Sequence, residues 1–479
     1  MINRLNNDNN DNRKAEEKAI LSIIYIFIGL FVLMMGYFTY FLFVKSDEVV
    51  NSTYNLRHDV LAKRVIRGNI LSADGIVLAE TLTDDEGNEI RSYPYGDMYA
   101  HVVGRVMRGR TGIEEVENIT LLTSYSRSAN AMYNDLIGIK NPGNNVVTTL
   151  NHKLNKVAYD ALGDYRGAVV AIEPRTGKIL ALVSKPSYDP NDIEENWDKL
   201  TEDKDRESPL LNRASQGLYP PGSTFKVLTA LAYIRSNPYY QDYSYRCDGR
   251  TEYEGMTIRC SGNKRHGKVD LTEAFAKSCN TAFSTIGKEL QIDELRSLSE
   301  SFFFNQSLPA RISNNSSSFL LRVGESGTKE AMQTAIGQGR TLITPLHNAM
   351  IAAAVANDGL MMKPYVIDRI ESAGGRVLKG YIPEEAATVM TSKEADYLKK
   401  LMRSVVTDGT ASMLSKSEYK VAGKTGTAEQ EGKDSHAWFI GFAPVNDPKI
   451  AISVIVENIG SGSEYALPIA DKVFSAYFD

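Results

Sequence analysis

The sequence predicts a multi-domain α+β protein: a single transmembrane helix, an elongated β-rich pedestal and a large domain that mixes helices with strands. Three observations predict it. The chain has 479 residues, more than one ordinary domain needs. One long run near its start is apolar and uncharged. Beyond that run, short β-like segments between polar loops give way at Arg166 to alternating helical and strand-like periods, which continue to Asp479. The composition, 43% hydrophobic and 24% charged, is globular, and a net charge of −5 argues against a nucleic-acid partner. Three cysteines in so long a chain make no disulfide framework.

The elements follow in order. Residues 1–18 are polar and Asn-rich, which predicts a disordered cytoplasmic tail. Residues 19–44, "AILSIIYIFIGLFVLMMGYFTYFLFV", carry no charge. At ~1.5 Å per residue they can cross a ~30 Å hydrocarbon core. A cleaved signal peptide would have a shorter apolar core and a small-x-small site, and no such site follows before "KSDEVV". Arg13, Lys14 and Lys18 precede the span, diluted by Glu16 and Glu17. That bias places the N-terminus inside and everything after Lys45 outside. Residues 45–165 read as the pedestal, with β-rich runs such as "RGNILSADGIVLAE" and "NNVVTTLN" and a hairpin turn at Asp74-Gly75. Residues 166–479 begin with two strands, "GAVVAIEPRTGKILALVS", turned at Pro174–Gly177. Helices are expected over Ser223–Arg235, Leu271–Leu290 and Pro345–Asn357. Strands are expected at "HAWFIGFAP" and "KIAISVIVEN", around a turn at Asn446-Asp447-Pro448. Ser313–Ser318 reads as a surface loop, Gly337-Gln338-Gly339 as a tight turn, and Trp438 and Phe439 as core.

The chemistry centres on "GLYPPGSTFKVLTALAYI". Pro220, Pro221 and Gly222 exclude helix before Ser223, and an apolar helical period follows it. Ser223 therefore stands at a helix N-terminus, where free N–H groups favour developing negative charge. Lys226 lies one turn on, on the same face. Buried among apolar side chains it would tend toward the neutral amine, which can accept the serine proton. Alone this signal is weak, because Ser-x-x-Lys also occurs at Ser261, Ser326 and Ser417 without such a setting. A Ser-x-Asn, Ser278-Cys279-Asn280, falls within the second expected helix. "VAGKTGTAEQ" places Lys424-Thr425-Gly426-Thr427 on a strand edge, where backbone groups can meet an extended peptide and Gly426 can admit a ligand close to the backbone.

Ser-x-x-Lys, Ser-x-Asn and Lys-Thr-Gly in that order are the set of penicillin-binding proteins and serine β-lactamases. The sequence resembles a class B, monofunctional penicillin-binding protein. "YPPGSTFK", "SCNTAF", "AIGQGRTLITPL" and "AGKTGTAE…HAWFIGFAP" carry the likeness in the catalytic half. "RGNI…DG", "YPYGDMYAHVVGR" and "TTLNHKLNKVAYDAL" carry it in the N-terminal half. The resemblance implies a serine β-lactamase-like transpeptidase domain, an antiparallel sheet flanked by helices, behind a dimerisation-like pedestal. It implies a membrane-anchored peptidoglycan D,D-transpeptidase of division, elongation or sporulation, acylated by β-lactam antibiotics and needing no cofactor for catalysis. Ser223 would be the nucleophile and Lys226 the general base, while Ser278 and Lys424 relay a proton to the departing D-Ala. Asn280 would hold the donor peptide, Thr425 and Thr427 would bind its terminal carboxylate, and the N–H groups of Ser223 and Thr427 would form the oxyanion hole. With no second catalytic domain, a polytopic glycan-polymerising glycosyltransferase is the implied partner, beside stem peptides and the membrane. One departure is Ser72-Ala73, where the family usually has Asp-Arg; it puts pedestal packing in question.

Cys247, Cys260, His266 and Cys279 are a chemically complete tetrahedral zinc set. The spacings lack a C-x2-C knuckle, which leaves a second reading open: Cys279 buried, with Cys247 and Cys260 free or disulfide-bonded. Two rival functions would leave different marks. A β-lactamase of class A would carry Glu-x-x-x-Asn for deacylation, and none stands between Asn280 and Lys424. A non-catalytic scaffold would not need all three catalytic motifs.

Overall fold

In the computed structural model the described residues are 2–45, 61–125, 129–202, 207–430 and 432–479. The chain divides into two compact units, Met1–Val60 and Leu61–Asp479. Among the described residues of the first, one helix, Ile2–Tyr40, is continued by a wider turn over Phe41–Lys45. Its segment Glu17–Lys45 is long and apolar enough to cross a membrane. Apolar side chains on every side of it, Phe27, Leu33 and Phe43 among them, are exposed, as in a helix whose solvent is lipid. The helix also runs back through the expected tail to Ile2, contrary to the disorder predicted there. Once the apolar segment has nucleated it, each further residue adds one hydrogen bond at low cost.

The second unit holds two main sheets. One has six strands in the order Val377–Gly380, Ile367–Glu371, Asn145–Thr148, Ile70–Leu71, Val77–Thr83 and Glu89–Ser92. Its first two strands come from the C-terminal half of the chain, so that half completes the N-terminal sheet. The Asp74-Gly75 hairpin forms as expected, with Gly75 at φ 82°. Ser72, the departure noted above, is buried, and its hydroxyl accepts a hydrogen bond from the Ile76 amide at 2.9 Å. Beside this sheet Glu114 is fully buried between Arg67 and Arg91, at 2.5 and 2.7 Å. Burial would raise its pKa, but the charges and hydrogen bonds of the two arginines outweigh that and hold it below the ordinary glutamate value.

The other sheet is antiparallel throughout: Ala422–Gln430, Lys433–Ala443, Ile450–Val456, Gly167–Ile172 and Ile179–Lys185. Its middle strands read as continuous apolar runs because both faces are covered. The helix Pro345–Ala356, buried at every residue, packs on one side. The helices Ala466–Phe478 and His152–Leu162, which pack on each other, cover the other. Trp438 and Phe439 are core, as expected. Ser313–Ser318 is a loop, but Ser317 is buried in it and bonds His347 Nδ1 at 2.7 Å.

The expected helix Leu271–Leu290 is two helices, Leu271–Ala276 and Asn280–Glu289. The chain breaks at Ser278, which adopts φ 54°. A non-glycine residue there costs roughly 1–3 kcal/mol, so the surroundings must hold it. The apolar period runs on across the break and hides it in the sequence.

Candidate active site

Ser223 sits in a 3-10 turn, Gly222–Phe225, that leads into the helix Lys226–Ser236. The turn is fixed on several sides. Trp438 Nε1 donates to Pro220 O at 3.0 Å, Thr224 Oγ1 to Pro221 O at 2.8 Å, and the Gly222 amide to Gly337 O at 2.9 Å. Gly222 has φ 55°, and a Cβ there would stand 2.7 Å from Thr427 O, so the turn lies directly against the Lys-Thr-Gly strand. Gly337 and Gly339 both have positive φ and form the expected tight turn.

Three segments distant in sequence converge here. The Lys226 ammonium is fully buried and donates to Asn280 Oδ1 at 2.7 Å, Ser278 O at 2.9 Å and Ser278 Oγ at 3.2 Å. Lys424, also fully buried, donates to Ser278 Oγ at 2.9 Å and to Thr425 O at 3.0 Å. Ser278 Oγ thus joins the two lysines, and its left-handed backbone is what turns the hydroxyl toward both. Neither lysine has a carboxylate partner among the described residues. Burial pushes the Lys226 pKa down to about 8, against a smaller opposing effect of Cys279 and Cys260. Burial, and then the charge of Lys226, drive Lys424 well below the ordinary lysine value.

Ser223, Ser278, Asn280, Thr425 and Thr427 line one cavity of about 540 Å³. The Ser223 hydroxyl has no hydrogen-bond partner among the described residues, as is common before substrate tightens a site. Thr425 and Thr427, two apart on a strand, present their side chains on the same face. Asn280 is engaged at both ends: its Oδ1 accepts from Lys226 and its Nδ2 donates to Arg259 O at 2.9 Å. Gly426 behaves differently from the expectation of an open approach for ligand. The place of its missing Cβ is taken by Trp438 Cβ at 2.9 Å, Thr224 Cγ2 at 3.0 Å and Pro221 O at 3.2 Å. Its smallness lets the strand and the Ser223 turn touch.

Two cavity residues that bond the Lys-Thr-Gly strand carry no mark in the sequence. Thr410 shares a 2.5 Å hydrogen bond with the Thr425 hydroxyl. Gln338 reaches Thr427 O at 3.5 Å from a turn read as purely structural. A lone threonine after a helix and a glutamine between glycines carry no chemical spacing signal.

Behind the Ser-x-Asn loop, Cys247, Cys260, His266 and Cys279 bring one donor atom each within 4.8 Å of one another. Cys247 Sγ lies 3.7 Å from Cys260 Sγ and 3.4 Å from His266 Nδ1, and Cys260 Sγ lies 3.8 Å from Cys279 Sγ. These are not disulfide distances, and all three cysteines are free thiols. A tetrahedral zinc with ~2.3 Å Zn–S and ~2.0 Å Zn–N bonds would set sulfur–sulfur separations of ~3.8 Å and sulfur–nitrogen separations of ~3.5 Å. The donor set fits that ion. Thr281 Oγ1 donates to Cys247 Sγ at 3.2 Å, the kind of outer contact that orients a ligand.

Comparison with known proteins agrees with this geometry. The sequence profile described as "Penicillin binding protein transpeptidase domain" matches residues 167–479, and "Penicillin binding protein A dimerisation domain" matches residues 67–146. The chain is 35% identical over 467 residues to the peptidoglycan D,D-transpeptidase PbpA of Mycolicibacterium smegmatis, covering 88% of this chain and 92% of that one. Among solved structures it resembles penicillin-binding protein A of M. tuberculosis in its penicillin G acyl-enzyme complex, with 31% identity, TM-score 0.78 and coverage of 87% and 100%. It also resembles the D,D-transpeptidase domain of a peptidoglycan glycosyltransferase from Eggerthella lenta, with 30% identity, TM-score 0.77 and coverage of 87% and 98%. A serine on a helix-leading turn, two buried lysines sharing one hydroxyl and these matches together lead to one conclusion: the chain belongs to the class B penicillin-binding proteins and is a serine-type peptidoglycan D,D-transpeptidase.

Proposed function

We propose that Ser223 is the acylated residue. Its Oγ attacks the carbonyl carbon of the penultimate D-Ala, and the proton passes to Lys226 Nζ. The tetrahedral oxyanion is held by the N–H groups of Ser223 and Thr427. The carbon–nitrogen bond to the terminal D-Ala then breaks, and Ser278 Oγ with Lys424 delivers the proton to the leaving amine. The ester left on Ser223 is attacked by an amine of a neighbouring stem peptide, which loses its proton by the reverse route and frees the serine. Thr425 and Thr427 would bind the departing carboxylate, and Asn280 would position the donor while holding Lys226. The observation that carries the reading is the shared Ser278 hydroxyl between two buried lysines. Labelling with penicillin and mapping the adduct by mass spectrometry should place it on Ser223, and Ser223→Ala should abolish it. An adduct elsewhere, or one that persists in the variant, overturns the assignment.

In this reading residues 1–18 are a cytoplasmic tail, 19–44 the single-pass anchor, 45–165 the pedestal and 166–479 the catalytic module acting outside the membrane. The basic bias before the span supports that orientation. A polytopic glycosyltransferase would supply the glycan strands, contacting anchor and pedestal. The Cys/His cluster would hold a structural zinc that pins the segment 247–266, which carries Cys247, Cys260 and His266, to the Ser-x-Asn loop, and it takes no part in acyl transfer. Purified protein should then contain about one zinc per chain and Cys260→Ser almost none. Wild-type protein purified without chelators and free of zinc counts against it.

A further inference from the structure

The wall of the active-site cavity that carries Ser278 and Asn280 also carries three cations: Lys264, Arg265 and Lys277. Lys264 and Arg265 are exposed and have no ion pair among the described residues. Lys277 has only a loose contact with Glu273, at 3.9 Å, where both side chains are well exposed. The cavity's two acids come from other segments, Asp408 after the helix Ser392–Thr407 and Glu429 on the Lys-Thr-Gly strand. Adjacent unpaired cations repel one another, and a cleft wall focuses their field on whatever enters it.

The backbone that carries two of these cations is anchored. Lys264 and Arg265 directly precede His266, whose ring is 3.4 Å from Cys247 Sγ. The same segment is tied to the Ser-x-Asn loop by Asn280 Nδ2 to Arg259 O at 2.9 Å and by the 3.8 Å approach of Cys260 and Cys279. The segment tied to the Ser278 loop therefore also brings this positive charge to the cavity.

We propose that Lys264 and Arg265, with Lys277, are specificity-determining residues that read a second carboxylate on the donor stem peptide, one borne by a residue preceding the D-alanyl pair. The substrate class is then a donor that is acidic there rather than amidated. This rests on Ser223 being the acylated serine. The terminal carboxylate has its own hydroxyl donors in Thr425 and Thr427, so the cation wall faces a different part of the peptide. A guanidinium and an ammonium suit a carboxylate, whereas a neutral carboxamide gains little from their charge.

The test uses two soluble donor peptides ending in D-Ala-D-Ala, alike except for a carboxylate or a carboxamide on the residue before that pair. The full-length protein should acylate the acidic donor with kcat/KM about tenfold higher. The advantage should shrink as sodium chloride rises, because the wall is exposed. The double variant K264Q/R265Q should lose most of the preference for the acidic donor and react with penicillin as the wild type does. K264E/R265E should prefer the amide. A wild type that does not discriminate, or an advantage that stays undiminished in the Gln variant or at high salt, overturns the proposal. Loss of the penicillin adduct at Ser223 would instead overturn the reading beneath it.

Discussion

At the residue scale the site turns on proton placement. An ordinary lysine is neutral in about one molecule in three thousand at pH 7, whereas one with a pKa of about 8 is neutral in roughly a tenth. Burial without a carboxylate partner is what would let Lys226 serve as the base proposed above. If the neutral amine takes the Ser223 proton, acylation should rise about tenfold per pH unit below pH 8 and level off above it. Stopped-flow acylation by a β-lactam between pH 6 and 9 checks this. A flat profile below pH 8 would remove Lys226 from the role of base. The motif residues were legible because their chemistry needs fixed spacing: Ser223 and Lys226 three apart, Thr425 and Thr427 two apart. Thr410 and Gln338 were not, since they reach the site through the fold alone.

At the scale of elements, close packing decides where the reacting groups stand. The turn bearing Ser223 leans on the strand Ala422–Gln430 through Gly222 and Gly426, with no room for a methyl group at Gly426. Gly426→Ala should push the turn and strand apart by a fraction of an ångström to an ångström. Because a misplacement of that size can cost on the order of 100-fold in rate, β-lactam acylation should fall by 10- to 100-fold, with only a modest loss of thermal stability. Acylation kinetics beside a melting curve separates the two, and an unchanged rate would mean the contact is dispensable. The sheet strands and the Pro345 helix were readable from apolar periods. The break at Ser278 was not, because side-chain periodicity is blind to a single backbone reversal that tertiary contacts with Lys226 and Lys424 sustain. The Cys/His set was visible as chemistry but not as geometry, since only the tertiary fold brings Cys247 and Cys279 together.

At the scale of the whole molecule, one hydrophobic core runs from Ile70 and Leu78 near the N-terminal sheet to Phe474 in the last helix. The sequence marked a change of character at Arg166 yet gave no sign that Ile367–Glu371 and Val377–Gly380 return to the earlier sheet, because strand pairing over such separations leaves no local pattern. This long-range pairing bears on how the chain is made. The edge of Asn145–Thr148 that will receive Ile367–Glu371 leaves the ribosome more than two hundred residues before its mate, an interval on the order of ten to fifty seconds of synthesis. During that wait its amides and carbonyls are open to any passing strand. A chaperone bound to that seam, or a slow export step, would keep it single until its own late partner arrives.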